Sequence, residues 1–142
     1  MEIQNLQLFL DENFKSLKQN FRIAKKKASP DSIHDLRVSI KRLNALVQLI
    51  NYNNNSNYLL RQNFGQLKRL IKAAGILRDL QVLEELFQKY SVTFGSISKV
   101  ISAQLHLKNE NARSDFHIFA KKYNHLNLSR ILINITKNIQ NM

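Results

Sequence analysis

One proline, Pro30, and three glycines, Gly65, Gly75 and Gly95, are the only strong backbone breakers in 142 residues. A chain with so few turn formers has few places to reverse direction, so most of it must run in long regular segments. Between the breakers, apolar residues recur at three- and four-residue intervals, the period of a helix buried along one side. The sequence therefore predicts an all-α fold, an antiparallel helical bundle of four to five helices, with residues 1–142 forming one domain. A hydrophobic fraction of 44% is enough to fill one core at this length.

The first helix is expected over residues 3–28, with Ile3, Leu10, Phe14, Leu17, Phe21, Ala24 and Ala28 as its buried face. Lys25, Lys26 and Lys27 suit the negative end of its dipole and read as a solvated helix end. Ser29, Pro30 and Asp31 then supply an N-cap, a first helical residue and a dipole-matching acid. The second helix runs from about Pro30 to Asn51, and the polar run Tyr52–Asn57 follows as a loop. A third helix starts near Tyr58 and reaches Lys89, with a bend expected near Gly75. Its apolar arc takes Leu60, Phe64, Leu67, Leu70, Ile71, Ala74 and Leu77. Ser91–Ser96 reads as a break. The fourth helix, 96–123, buries Ile97, Val100, Ile101, Leu105, Ala112, Phe116, Phe119 and Tyr123. The fifth, 128–139, buries Ile131, Leu132, Ile135 and Ile139.

The second helix carries the most informative pattern. Turned by about 100° per residue, Ile33, Leu36, Ile40, Leu43, Val47 and Ile50 form one broad apolar arc. His34, Arg37, Lys41 and Gln48 form a narrow stripe beside it, and Val38, Ala45 and Leu49 a thinner apolar strip beyond. Charges bounded by apolar residues on both sides mark the lining of a groove better than a solvated face. On the third helix Arg61, Lys68 and Lys72 lie within about 40° of one another. Gly65 and Gly75 flank them, as a close approach of a ligand or of the helices themselves would require. Arg78 falls inside the apolar arc. Either Gly75 shifts the helical phase, or Arg78 is partly buried and held by Asp79 or a bound anion. Packed antiparallel, the two helices pool these cations in one positive trough.

The charge balance points the same way. There are 22 Lys and Arg against 10 Asp and Glu, a net charge of +12. Such an excess favours a polyanion: nucleic acid, an anionic membrane surface or a phosphate polymer. Lys supplies a point charge to phosphate, Arg a planar donor fork, and His a donor whose charge depends on pH. No base-reading device accompanies them, because the aromatics sit at core spacing, so the trough suits phosphates and not sequence. Catalysis has little support. Cys is absent, no Gly-rich phosphate loop follows a strand, and His34 and Asp35 diverge by about 100°. His106 and Glu110 have metal-ligand spacing but lack a third ligand and read as a surface pair. Asp79, Glu84 and Glu85 read as solvated charges, and His117 and His125 as surface or boundary residues. No cofactor is expected. The N-terminus, with Glu2, Asp11 and Glu12, lacks a signal-peptide core, and no stretch approaches the ~20 apolar residues of a membrane span. A cytoplasmic protein without membrane attachment is expected.

The run His34-Asp35-Leu36-Arg37-Val38-Ser39-Ile40-Lys41-Arg42-Leu43 resembles the main motif of the CHAD domain, the conserved histidine α-helical domain. Leu67-Lys68-Arg69-Leu70 followed by Gly75-Ile76-Leu77-Arg78-Asp79-Leu80-Gln81-Val82-Leu83 resembles that family's second motif. A weaker likeness runs through Ser129-Arg130-Ile131-Leu132. The resemblance implies a helical fold, binding of inorganic polyphosphate through a basic central channel, and association with polyphosphate granules. It assigns ligand contacts to His34, Arg37, Lys41, Arg42, Lys68, Lys72 and Arg78; Arg61 joins them from its place on the third helix.

Family members usually have two helical halves that face each other across the channel, whereas this chain matches the N-terminal half only. Phe116–Lys122 is too degenerate to serve as a second basic motif. Either two copies pair to rebuild the channel, or the chain is a truncated piece or a divergent relative. A homodimer would use Val38, Ala45 and Leu49 as its contact strip. The reading is a non-catalytic polyphosphate-binding module. Its rivals are a nucleic-acid binder, which charge alone does not separate from it, and a protein-interaction bundle.

Overall fold

A computed structural model describes residues 3–54, 58–122 and 125–140. Over these it is helical: α1 (Ile3–Lys26), α2 (Pro30–Asn54), α3 (Tyr58–Lys89), α4 (Ser91–Phe94), α5 (Ile97–Lys122) and α6 (His125–Gln140). The all-α bundle is the one the breaker count and periodicity predict, with one addition. The expected break at 91–96 holds a single helical turn, α4. It is closed by Gly95 at φ 62°, ψ −138°, a conformation that side chains with a Cβ rarely adopt. The helix α3 runs unbroken through Gly75. No helix among the described residues is long and apolar enough to cross a membrane.

The turn between α1 and α2 forms as its sequence requires. Ser29 Oγ accepts from the Ser32 N–H at 3.2 Å, capping α2. Ser32 Oγ donates to the Lys27 carbonyl at 2.7 Å, which ties the new helix to the end of the old one. Further along, Asn20 donates to Ser39 Oγ at 2.6 Å, and Ser39 is itself buried. These bonds register α1 against α2 across a seam otherwise packed by apolar side chains.

The expected faces of the first two helices are the core. Leu10, Phe14, Leu17, Phe21, Ala24 and Ala28 are buried, joined by Leu6. So are Ile33, Leu36, Ile40, Leu43, Val47 and Ile50, with Leu46 added. Leu70, Ala74 and Leu77 of α3, Ala112, Phe116 and Ala120 of α5, and Leu128, Ile131, Ile135 and Ile139 of α6 complete one cluster. Ile3, Leu60, Phe64, Leu67 and Tyr123, expected in this core, lie outside the residues whose side chains are described. So do Arg61, Gly65 and His125. The helix α6 docks on α1, where Gln7 donates to Thr136 Oγ1 and Lys18 to Ser129 Oγ.

The first half of α5 departs from expectation. Ile97 and Val100 are more than half exposed, and Ile101 and Leu105 are only half-buried. The hollows beside this segment are walled by α3, α4 and α5 alone. Helical spacing shows that a helix is amphipathic, but not which neighbour reaches it. Here α3 and α5 project as a two-helix hairpin past the core, and their apolar side is left on the surface.

Candidate anion-binding site

The helices α2 and α3 pack antiparallel, since the start of α2 lies beside the second half of α3. Gln81, buried on α3, donates to the Ala28 carbonyl at 3.1 Å. One turn earlier, Arg78 Nη1 donates to the Pro30 carbonyl at 3.4 Å. Of the two sequence alternatives for Arg78, partial burial with a protein partner is what occurs. The partner is the α2 backbone, not Asp79. This choice has an electrostatic consequence. The first turn of α2 carries the positive end of the helix dipole, equivalent to roughly half a unit charge. A guanidinium drawn to that point adds to the positive potential instead of cancelling it.

Asp79 turns instead to Arg37, whose Nη1 lies 4.0 Å from its carboxylate. The Arg37 side chain is 28% exposed and that of Asp79 78% exposed. At that distance, with one partner so open to water, the pair contributes little and leaves the arginine's donor fork mostly unused. His34 and Lys41, exposed, share the Arg37 stripe of α2, and Lys68 is exposed on α3. Among the described residues neither Lys41 nor Lys68 has an ion pair or a side-chain hydrogen bond. Across the seam the contacts bring together Arg37 and Arg78, with His34 and Lys41 on the same stripe of α2 and the exposed acids Asp31 and Asp79 beside them.

Two of the residues assigned by resemblance look elsewhere. Arg42 sits on the opposite edge of α2, in a hollow lined by Phe9, Glu12, Asn13 and Ser16 of α1. Lys72 lines a hollow of about 310 Å³ between α3 and α5, with Ala73, Ile76, Ala112, Asp115 and Phe119. Arg69 lines it too. Sequence reasoning did not single out Arg69, although Arg69, Lys72, Ala73 and Ile76 have the i, i+3, i+4, i+7 spacing of a shared face. The strip Val38, Ala45 and Leu49 is at the surface, half-buried at Val38 and exposed at the other two.

A Cβ added at Gly75 would meet nothing within 4 Å. The two helices therefore do not need glycine there to approach each other, and the space above the α3 backbone stays open. Gly75→Ala is expected to raise stability by roughly 0.5–1 kcal/mol, through helix propensity alone. Urea unfolding of the two proteins measures it, and a loss of stability would show that the space is not free.

Of the acids read as solvated, Asp79 and Glu85 are exposed, whereas Glu84 has a structural partner. Glu84 accepts a short hydrogen bond from the buried Asn109 amide of α5, and its other oxygen lies 4.0 Å from His106 Nδ1. It is a helix-to-helix tie and not a free surface charge. Glu110 pairs with Arg113 at 2.9 Å, so His106 and Glu110 serve different partners. His117 is half-buried, edge-on to Phe116. No group of three or more His, Cys, Asp or Glu among the described residues is placed to hold a metal ion.

A protein-family model described as CHAD domain matches residues 9–121. The match runs from the first buried turns of α1 to the last turn of α5 and includes the α2–α3 seam. No curated protein and no solved structure matches the chain.

Proposed function

The chain belongs to the CHAD domain family, and we propose that it binds inorganic polyphosphate along the α2–α3 seam, as a non-catalytic binding module. The observation that carries this reading is the position of Arg78. Its guanidinium is drawn to the positive first turn of α2, beside the Arg37 stripe. Two guanidiniums and a helix N-terminus there favour an anion, against the exposed acids Asp31 and Asp79. The +12 net charge supplies a favourable long-range field for the same ligand.

The shape of the seam favours a thin polymer. Packed helices lie roughly 8–10 Å apart, so cations along their seam form a narrow line. A single phosphate chain can follow it. Duplex DNA spreads its phosphates across grooves roughly 6–12 Å wide and meets such a line at few points. Single-stranded nucleic acid would gain from aromatic stacking, and the seam's cations are interleaved with Val38, Ile71 and Gly75. Association with polyphosphate granules would follow from the same contacts.

The deciding experiment is competition at equal phosphate charge between long polyphosphate, short polyphosphate, duplex DNA and RNA. Long polyphosphate should displace each of the others, because many weak contacts act together on one chain. Its affinity should fall steeply with salt as counterions are released. If RNA or DNA competes as well as long polyphosphate, the ligand is nucleic acid. If heparin binds equally, the seam is a general acidic-partner surface.

A further inference from the structure

We propose that the hollow between α3 and α5 binds a phosphate monoester with a compact apolar body, at a site separate from the α2–α3 seam. The hollow measures about 310 Å³, at the small end of the range for small-molecule pockets, roughly 300–1,000 Å³. Its walls divide by chemistry. Ala73 and Ala112 are buried, Phe119 packs partly buried against the core, and Ile76 is about half exposed. Arg69 and Lys72 line the hollow from α3 and Asp115 lines it from α5, all three exposed. Among the described residues none of these three charges has an ion pair or a side-chain hydrogen bond.

Opposite charges that line one hollow without meeting keep their hydrogen-bonding capacity for a third group. The two cations select its anionic end. They lie three residues apart on α3 and so share a face. The Arg69 fork can take two oxygens and the Lys72 ammonium a third. That set matches the three terminal oxygens of a phosphate monoester better than the two of a carboxylate. The apolar walls select the rest of the molecule. A body that covers Ala73, Ile76, Ala112 and Phe119 removes apolar surface of both partners from water, a gain that inorganic phosphate lacks.

Asp115 disfavours a chain of phosphates here. Packed helices lie roughly 8–10 Å apart, so its carboxylate is within about one screening length of a phosphate held on α3. A second phosphate reaching across the hollow would meet a like charge. A single phosphate on an uncharged body keeps its charge at the α3 edge and avoids that repulsion. Lys72 thus serves a different ligand from the polymer bound along the seam.

Titration calorimetry with naphthyl phosphate, inorganic phosphate and naphthol, near 0.1 M salt where distant charges are screened, tests this. The ester should bind at least about tenfold more tightly than either fragment, the effect of burying roughly two methylene groups. In nuclear magnetic resonance spectra its largest amide shifts should fall within 69–76 and 112–119. Arg69→Ala with Lys72→Ala should lower ester affinity at least about tenfold, with helical circular dichroism unchanged because both side chains are exposed. Ile76→Ser keeps both cations, so it should weaken the ester about threefold and leave inorganic phosphate as it was. Lys25→Ala with Lys26→Ala removes the same charge from the exposed end of α1 and should leave ester binding unchanged. An ester that binds no better than inorganic phosphate, largest shifts outside the two segments, or binding that survives both hollow variants overturns the proposal. An equal loss in the Lys25 and Lys26 variant also overturns it, since the overall field alone would then account for binding.

Discussion

Replacing Lys41 and Lys68 together by alanine lowers affinity for long polyphosphate at least about tenfold near 0.1 M salt. A charge-assisted phosphate contact is worth about 1.5–3 kcal/mol when desolvated, and less where water and salt screen it. Both lysines are exposed and lack protein partners among the described residues, so the fold should not change. The slope of log affinity against log salt should also flatten by about 1.5–2, at roughly 0.7–0.9 for each phosphate no longer neutralised. That second readout separates the removal of two binding charges from a damaged protein. Titration calorimetry or fluorescence polarisation at three salt concentrations measures both. An unchanged affinity and slope would remove the seam from the binding site. Arg42→Ala is the natural companion, because its hollow faces α1 and includes Glu12. A loss as large as that of the double variant would mean that the polymer wraps α2 instead of following the seam.

The largest stability effect is expected at the centre of the bundle. Phe116 on α5 is fully buried in the cluster formed by α1, α2, α3, α5 and α6. Truncation to alanine removes its transfer free energy and leaves a cavity that close-packed neighbours fill only in part, a loss of about 3–5 kcal/mol. Against a total of roughly 5–15 kcal/mol for a domain, the variant should unfold about 1–3 M earlier in urea. Phe94 is the comparison. It is stacked on Phe87 with centroids 5.4 Å apart but remains about half exposed. Phe94→Ala should cost less than about 1 kcal/mol. Equal losses at the two positions would mean that the hairpin is covered within the single chain.

These two aromatics mark the limit of what periodicity conveys. On α1 and α2 the three-four spacing gives the buried face almost residue by residue, because each helix has one broad apolar arc with neighbours to cover it. On α5 the same spacing runs from Ile97 to Phe119, yet only the second half enters the core. Nothing local distinguishes Val100 from Ala112. The difference is that α1 is available as well as α3 at one end of the helix, and only α3 and α4 flank the other.

The candidate site divides in the same way. His34, Arg37 and Lys41 share one edge of α2 because residues three and four apart stack on a helix, so that grouping was legible in the chain. Arg42 belongs to the same motif as these three, and Lys72 lies between the two runs of the second, but they turn toward α1 and α5. A motif records which residues recur together, while the direction each takes depends on its angle to neighbours packed from different sides.

Local chemistry alone determined the helices, their caps and the apolar arcs of the first two, since all of these depend on residues within a turn or two of one another. It also determined the excess of positive charge. Tertiary packing decided the rest. It set Arg78 against the carbonyl of Pro30, 48 residues away, recruited Glu84 to hold Asn109, and carried the hairpin clear of the core. Those outcomes depend on which surfaces compete for the same water-excluded space, and that competition exists only once the helices are assembled.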